Sequence, residues 1–179
     1  MPDRQYPDVP PSRTGTDIER IVYVEDSADE VFLTRIVFAR ERVAPELVHY
    51  ARFDALERDL ESGALPGLDT ALVVLDLNLK VSKGTDAVRR LRTMPLAASA
   101  VTGVCTGSED PADRRDVEAA GADFFVGKPL DAACLSRICA SVPGLELDRA
   151  PDGALSLMLT RDAMPGASRD GPDASAAAS

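Results

Sequence analysis

Five short apolar runs punctuate the chain, at residues 21–24 (IVYV), 47–50 (LVHY), 71–75 (ALVVL), 100–105 (AVTGVC) and 124–126 (FFV). Each has the length of a strand, and between them apolar residues recur at the helical spacing of three and four, which is the rhythm of repeated βα units. The third run is apolar at every position, as expected of a central parallel strand covered by helices on both faces. Strict alternation of strands and helices, joined by right-handed crossovers, implies an α/β doubly wound, flavodoxin-like sheet of five parallel strands with five helices on its two faces.

The helix boundaries carry their own signals. Ser27-Ala28-Asp29-Glu30 forms a capping box that starts the first helix, and Phe32/Ile36 with Leu33/Val37, four residues apart, mark its expected buried side. The second helix is expected over 54–61, ending near Gly63, and the third over 84–93, ending before Pro95. Pro111 opens the fourth, which stops at Gly121, and the fifth fills 131–141. The ends read differently. Residues 1–17 hold four prolines and read as a flexible tail, and 161–179 run through Ala, Ser, Asp, Gly and Pro as a disordered tail, which leaves one folded domain over 18–142.

The extension at 143–160 keeps a strand pattern. Leu145 and Leu147 alternate with Glu146 and Asp148, Leu155, Leu157 and Leu159 alternate with Ser156 and Met158, and Ala150-Pro151-Asp152-Gly153 supplies a turn between them. A lone hairpin is marginal in water, so its leucine face requires a cover. The expected cover is a second copy, giving a homodimer through exchanged C-terminal arms; docking on the chain's own domain is the alternative, and a solvated tail the third possibility.

Composition narrows the chemistry. Apolar residues at 45% and charged residues at 28% are globular values, and a net charge of -10 argues against general nucleic-acid binding. No apolar run is long enough to span a membrane, and Cys105, Cys134 and Cys139 lack metal-ligand spacing, so reduced thiols in a cytoplasmic protein are expected. In a doubly wound sheet chemistry gathers at the carboxyl ends of the strands. There the first run is followed by Glu25-Asp26, the third by Asp76, the fourth by Thr106 and the fifth by Lys128-Pro129. Three carboxylates brought together repel unless a cation lies between them, and hard oxygen donors with room for water suit Mg²⁺.

The motifs IVYVED, VVLDLNL, the Gly84 that follows, VCTG and GADFFVGKP together resemble the receiver domain of two-component response regulators, over residues 18–142. The acidic pair and the DLNL segment resemble the small receivers that partner bacterial phytochromes. The resemblance implies that Asp76 is the nucleophile that accepts a phosphoryl group from a phosphohistidine of a sensor histidine kinase, without a separate base because a carboxylate needs none. It implies that Asp26 binds Mg²⁺ directly and Glu25 directly or through water, with Asp76 and the backbone carbonyl of Asn78 completing the protein ligands. Lys128 would pair with a phosphoryl oxygen, ahead of a cis Pro129, and Thr106 would donate its hydroxyl to another. Thr106 and Phe125 would form the conformational switch, although Phe125 lacks the phenol of the tyrosine often found there. Lys80 departs from the usual proline and adds a positive charge beside the site, whereas His49 is expected far from it in a structural role. No output domain or enzyme beyond self-catalysed phosphotransfer and autodephosphorylation is expected, so output would be by protein contact or phosphotransfer. Two alternatives stay open: an aspartate-nucleophile phosphohydrolase, disfavoured because Asn78 stands where its second acid belongs, and a non-phosphorylated flavodoxin-like interaction module.

Overall fold

The computed structural model describes residues 15–160. In chain order the elements are β1 (Thr16–Asp17), β2 (Arg20–Val24), α1 (Ala28–Glu41), β3 (Glu46–Tyr50), α2 (Phe53–Ser62), β4 (Ala71–Leu75), α3 (Gly84–Thr93), β5 (Val101–Thr106), α4 (Pro111–Ala119), β6 (Phe124–Gly127), α5 (Ala132–Ser141), β7 (Leu145–Arg149) and β8 (Leu155–Leu159). The main sheet is parallel, in the order β3-β2-β4-β5-β6. Its two faces build two cores. Val73 and Leu75 of β4 join Leu56, Leu60, Val88, Leu91 and Val117 from α2, α3 and α4. Leu72 and Val74 face the other way, onto Val31, Phe38, Leu135 and Ile138 from α1 and α5. This alternation is the strand period at work, and it explains why the run is apolar throughout.

Local chemistry sets the helix ends. Ser27 Oγ accepts the Glu30 N–H, Asp110 accepts that of Ala112 behind Pro111, and Asp131 accepts that of Cys134, each satisfying an otherwise orphaned donor of the first turn. Gly63 closes α2 in the left-handed conformation, at φ 75°.

The buried side of α1 differs from the expected one. Val31, Thr34 and Phe38 face the core, whereas Phe32, Leu33 and Ile36 are 64%, 56% and 48% exposed and Val37 is only half-buried. Both sets satisfy helical spacing, and a threonine in the true stripe conceals it.

The tail and extension also depart from expectation. Thr16 and Asp17, counted with the N-terminal tail, pair antiparallel with β8, giving a second sheet in the order β1-β8-β7. The hairpin turns on Gly153, at φ 89°, and seats on its own chain: Leu145, Leu155, Leu157 and Leu159 enter the α1–α5 core, and Leu155 bridges to Val43 beyond α1. Within the chain the leucines are therefore covered by its own domain, the alternative to cover by a second copy. Residues 1–14 and 161–179, which complete the two expected tails, lie outside the described residues. Among the described residues no helix is long and apolar enough to cross a membrane.

Candidate functional site

The parallel ladders carry the polar residues to one end of the sheet. The Glu25 N–H donates to the Tyr50 carbonyl at 3.0 Å and the Asp76 N–H to the Val24 carbonyl at 2.9 Å, extending the strand pattern one residue past β2 and β4. The Lys128 N–H donates to the Thr106 carbonyl at 2.9 Å, which ties the end of β6 to that of β5. Beside Asp76, α3 can begin only with glycine: a Cβ on Gly84 would lie 2.5 Å from the Asp76 carbonyl oxygen. The Lys128–Pro129 peptide is cis.

Lys128 is the hub. Its Nζ donates to Glu25 Oε2 at 2.6 Å and lies 3.4 Å from Asp76 Oδ1. Glu25, only 1% exposed, has two further donors: the Tyr23 hydroxyl reaches Oε2 at 3.0 Å and the Ser27 N–H reaches Oε1 at 2.9 Å. Burial pushes the Asp76 carboxyl above its ordinary range; the Lys128 charge opposes that and the Glu25 charge adds to it. Burial works against the Lys128 charge too, but the Glu25 hydrogen bond and the two carboxylate charges outweigh it, and the ammonium is held above its usual range. Burial, reinforced by Glu25, also pushes the Tyr23 phenol far up, so it remains a donor.

Asp26 and Asp76 flank one loop. Asp76 Oδ2 accepts the Asn78 N–H at 2.9 Å, and Asp26 Oδ2 accepts the Lys80 N–H, two residues on, at 2.8 Å. The Lys80 ammonium stands 3.8 Å from that same Asp26 oxygen, on a largely exposed side chain. Among the described residues no three carboxylate, thiol or imidazole groups are gathered as a metal cluster. The Glu25 oxygens accept from Lys128, Tyr23 and Ser27. The remaining donor set, Asp26 and Asp76 with the Asn78 carbonyl two residues after Asp76, is hard and oxygen-only, and fits a small divalent cation that keeps several waters.

Thr106 is buried, and its hydroxyl accepts the Ser108 N–H at 3.2 Å. Phe125 packs against the α2–α4 core from a partly exposed position, with the Arg114 guanidinium 4.7 Å above its ring. Phe124 points into the opposite core, as its neighbouring strand position requires.

No family model and no curated protein matches the chain. Solved structures do. The bacteriophytochrome response regulator AtBRR aligns with a TM-score of 0.60 at 22% identity, covering 70% of this chain and 92% of its own. The Mn(2+)-bound form of response regulator Rcp1 gives 0.55 at 21% identity over 67% and 88%. A response regulator receiver domain from Rhodospirillum rubrum gives 0.56 at 22% identity over 66% and 86%.

The chain has the fold of response-regulator receiver domains. Within that receiver fold Lys128 contacts both Glu25 and Asp76, and Asp26 holds the loop after Asp76 through Lys80. Thr106 reaches the group through the Lys128 backbone, and Phe125 stands apart on the outer side of β6. Three contacts escape a reading of motifs alone. His49 is nearer than expected, its Nε2–H donating to the Glu25 carbonyl at 2.8 Å. Arg114 covers Phe125. Tyr23 reaches Glu25, and the strand period, which puts residues two apart on one face, was the available signal.

Proposed function

We propose that the chain is a response-regulator receiver whose Asp76 accepts a phosphoryl group from a phosphohistidine of a sensor histidine kinase. The observation that carries this reading is the Lys128 ammonium held against both Glu25 and Asp76 at the carboxyl end of the central strand. An Asp76 oxygen attacks phosphorus as the P–N bond breaks; the departing imidazole nitrogen keeps the electron pair and takes up a proton. Lys128 is placed to turn from Asp76 to a phosphoryl oxygen without leaving Glu25, and Thr106 supplies a hydroxyl at the neighbouring strand end. Mg²⁺, held by Asp26, Asp76 and the Asn78 carbonyl, would offset the negative charge of the transferred group. Glu25 serves by holding the lysine rather than as a direct metal ligand. The Mn(2+)-bound form of Rcp1 supports a divalent-ion requirement, and the likeness to AtBRR favours a bacteriophytochrome as the kinase. Thr106 and Phe125 form the switch, with the ring moving as the hydroxyl turns inward. The free thiols suit a reducing cytoplasm.

Intact-mass measurement tests the reading. Acetyl phosphate with Mg²⁺ should add one phosphoryl group to the wild-type chain, none in excess chelator and none to Asp76→Asn. An unchanged wild-type mass, or an equal gain by the variant, overturns it.

A further inference from the structure

We propose that Tyr23 is a positioning residue: its buried hydroxyl pins the Glu25 carboxylate on Lys128 and withholds that carboxylate from a cation at Asp26 and Asp76. The inference rests on the receiver reading for its consequence, but on geometry for its existence. Tyr23 is fully buried in β2, in the apolar core with Val31, Cys105 and Ile138. A phenylalanine would fill the same space. The hydroxyl is the only polar difference, and it donates to the one oxygen, Oε2, that also takes the Lys128 ammonium.

The two groups lock each other. Turning Glu25 toward a cation would leave the hydroxyl without a partner among apolar side chains, and orphaning a buried donor biases against that rotation by about five- to hundredfold. It would also take Oε1 from the Ser27 N–H at the start of α1. Glu25 therefore stays with the lysine, and Lys128 stays within reach of Asp76. Carboxylate charge that would otherwise add to the metal site is spent holding the ammonium in place.

The test is Tyr23→Phe in the full-length chain, with no phosphodonor present. In the metal-free wild type the Tyr23 hydroxyl proton and the Lys128 ammonium protons should both exchange slowly enough to be seen by NMR. In Tyr23→Phe the ammonium signal should broaden into exchange, and Mg²⁺ alone should bind about fivefold or more tightly as Glu25 is released. An unchanged ammonium signal, or an unchanged or weaker Mg²⁺ affinity, overturns the proposal. Should the variant fail to fold, a wild-type Tyr23 hydroxyl proton in fast exchange overturns it, and a slow one contacting Glu25 upholds it. Failure of the Asp76 mass gain would overturn the receiver reading while leaving these readouts to judge the latch separately.

Discussion

The two ends of the same parallel strands are held together by different physics. At the amino end the β1-β8-β7 sheet closes the α1–α5 core with leucines: Leu145, Leu155, Leu157 and Leu159 are each 3% exposed or less. Backbone bonds fix the hairpin there, from the Ile18 N–H to the Leu157 carbonyl, from Leu155 to Arg42 and from Ala44 to Leu155. At the carboxyl end Glu25, Asp26 and Asp76 gather with Lys128 and Lys80, and little apolar area is at stake. Burial of leucine is non-directional and indifferent to ions, whereas opposed charges in a partly dry site are rebalanced by any cation or phosphoryl group that arrives. One end therefore stores stability, and the other holds a balance that chemistry can tip.

The largest expected effect is at the leucine end. Leu157→Ala should cost about 2–5 kcal/mol of folding stability, by lost transfer free energy and the cavity left behind. Urea denaturation of the metal-free chain measures it. Well below the melting temperature the variant should still gain one phosphoryl group. A cost under about 1 kcal/mol, less than a core leucine truncation gives, would break the comparison. So would a folded variant that no longer accepts phosphoryl.

At the charged end a truncation should act with the opposite sign. The folded Asp76 carboxyl ionises above its ordinary value of 3.8, chiefly through burial, with the Lys128 attraction already included in that balance. Its contribution to stability is fully present below 3.8 and is lost as pH rises through the folded value. At neutral pH the wild type carries that loss, and Asp76→Asn does not. The metal-free variant should melt several degrees higher than wild type at neutral pH, with the gain fading as pH falls toward the ordinary aspartate range. Mg²⁺ should raise the wild-type melting temperature more than that of the variant, since only the wild type keeps both carboxylates. A variant less stable than wild type at neutral pH would mean that Asp76 is structural, like the leucines.

The contrast also explains what was legible in the sequence. Periodicity located every strand of the main sheet, and the stop before Pro95 placed α3 over its observed span, with Asp131 at the head of α5. These are local properties, written in adjacent residues. The site residues could be named because strand ends are local too, and the fold rule says which end matters. The buried face of α1 was not legible, because Thr34 in the inner stripe and Phe32, Leu33 and Ile36 on the outer one invert the usual code. The hairpin was visible as a hairpin, but not what it lies on, since the choice between its own core and another copy depends on contacts more than a hundred residues apart. The commitment of Glu25 to Tyr23 and Lys128 was hidden for a similar reason: residue types place three carboxylates at neighbouring strand ends, and only geometry shows which one faces a lysine.

The smallest expected effect sharpens the comparison, because it concerns an exposed charge whose loss should barely touch the fold. Lys80 stands with its ammonium 3.8 Å from Asp26 Oδ2, while its backbone N–H holds the same oxygen at 2.8 Å. Replacing the side chain removes the ammonium and keeps the N–H, so the loop remains anchored to Asp26. An exposed pair of this kind is worth about 0.2–1 kcal/mol, so Lys80→Ala should change the melting temperature little. Yet the ammonium and a divalent cation compete for the same carboxylate, and the whole of that small energy should reappear in metal affinity. Mg²⁺ should bind Lys80→Ala about 1.5- to 5-fold more tightly at low ionic strength. The gain should shrink as added salt screens the pair. Calorimetric titration at two salt concentrations measures both. Equal Mg²⁺ affinity for the two proteins at low salt would show that the lysine points away from the metal site in solution. A salt-independent gain would instead trace the effect to the loop's backbone and not to charge.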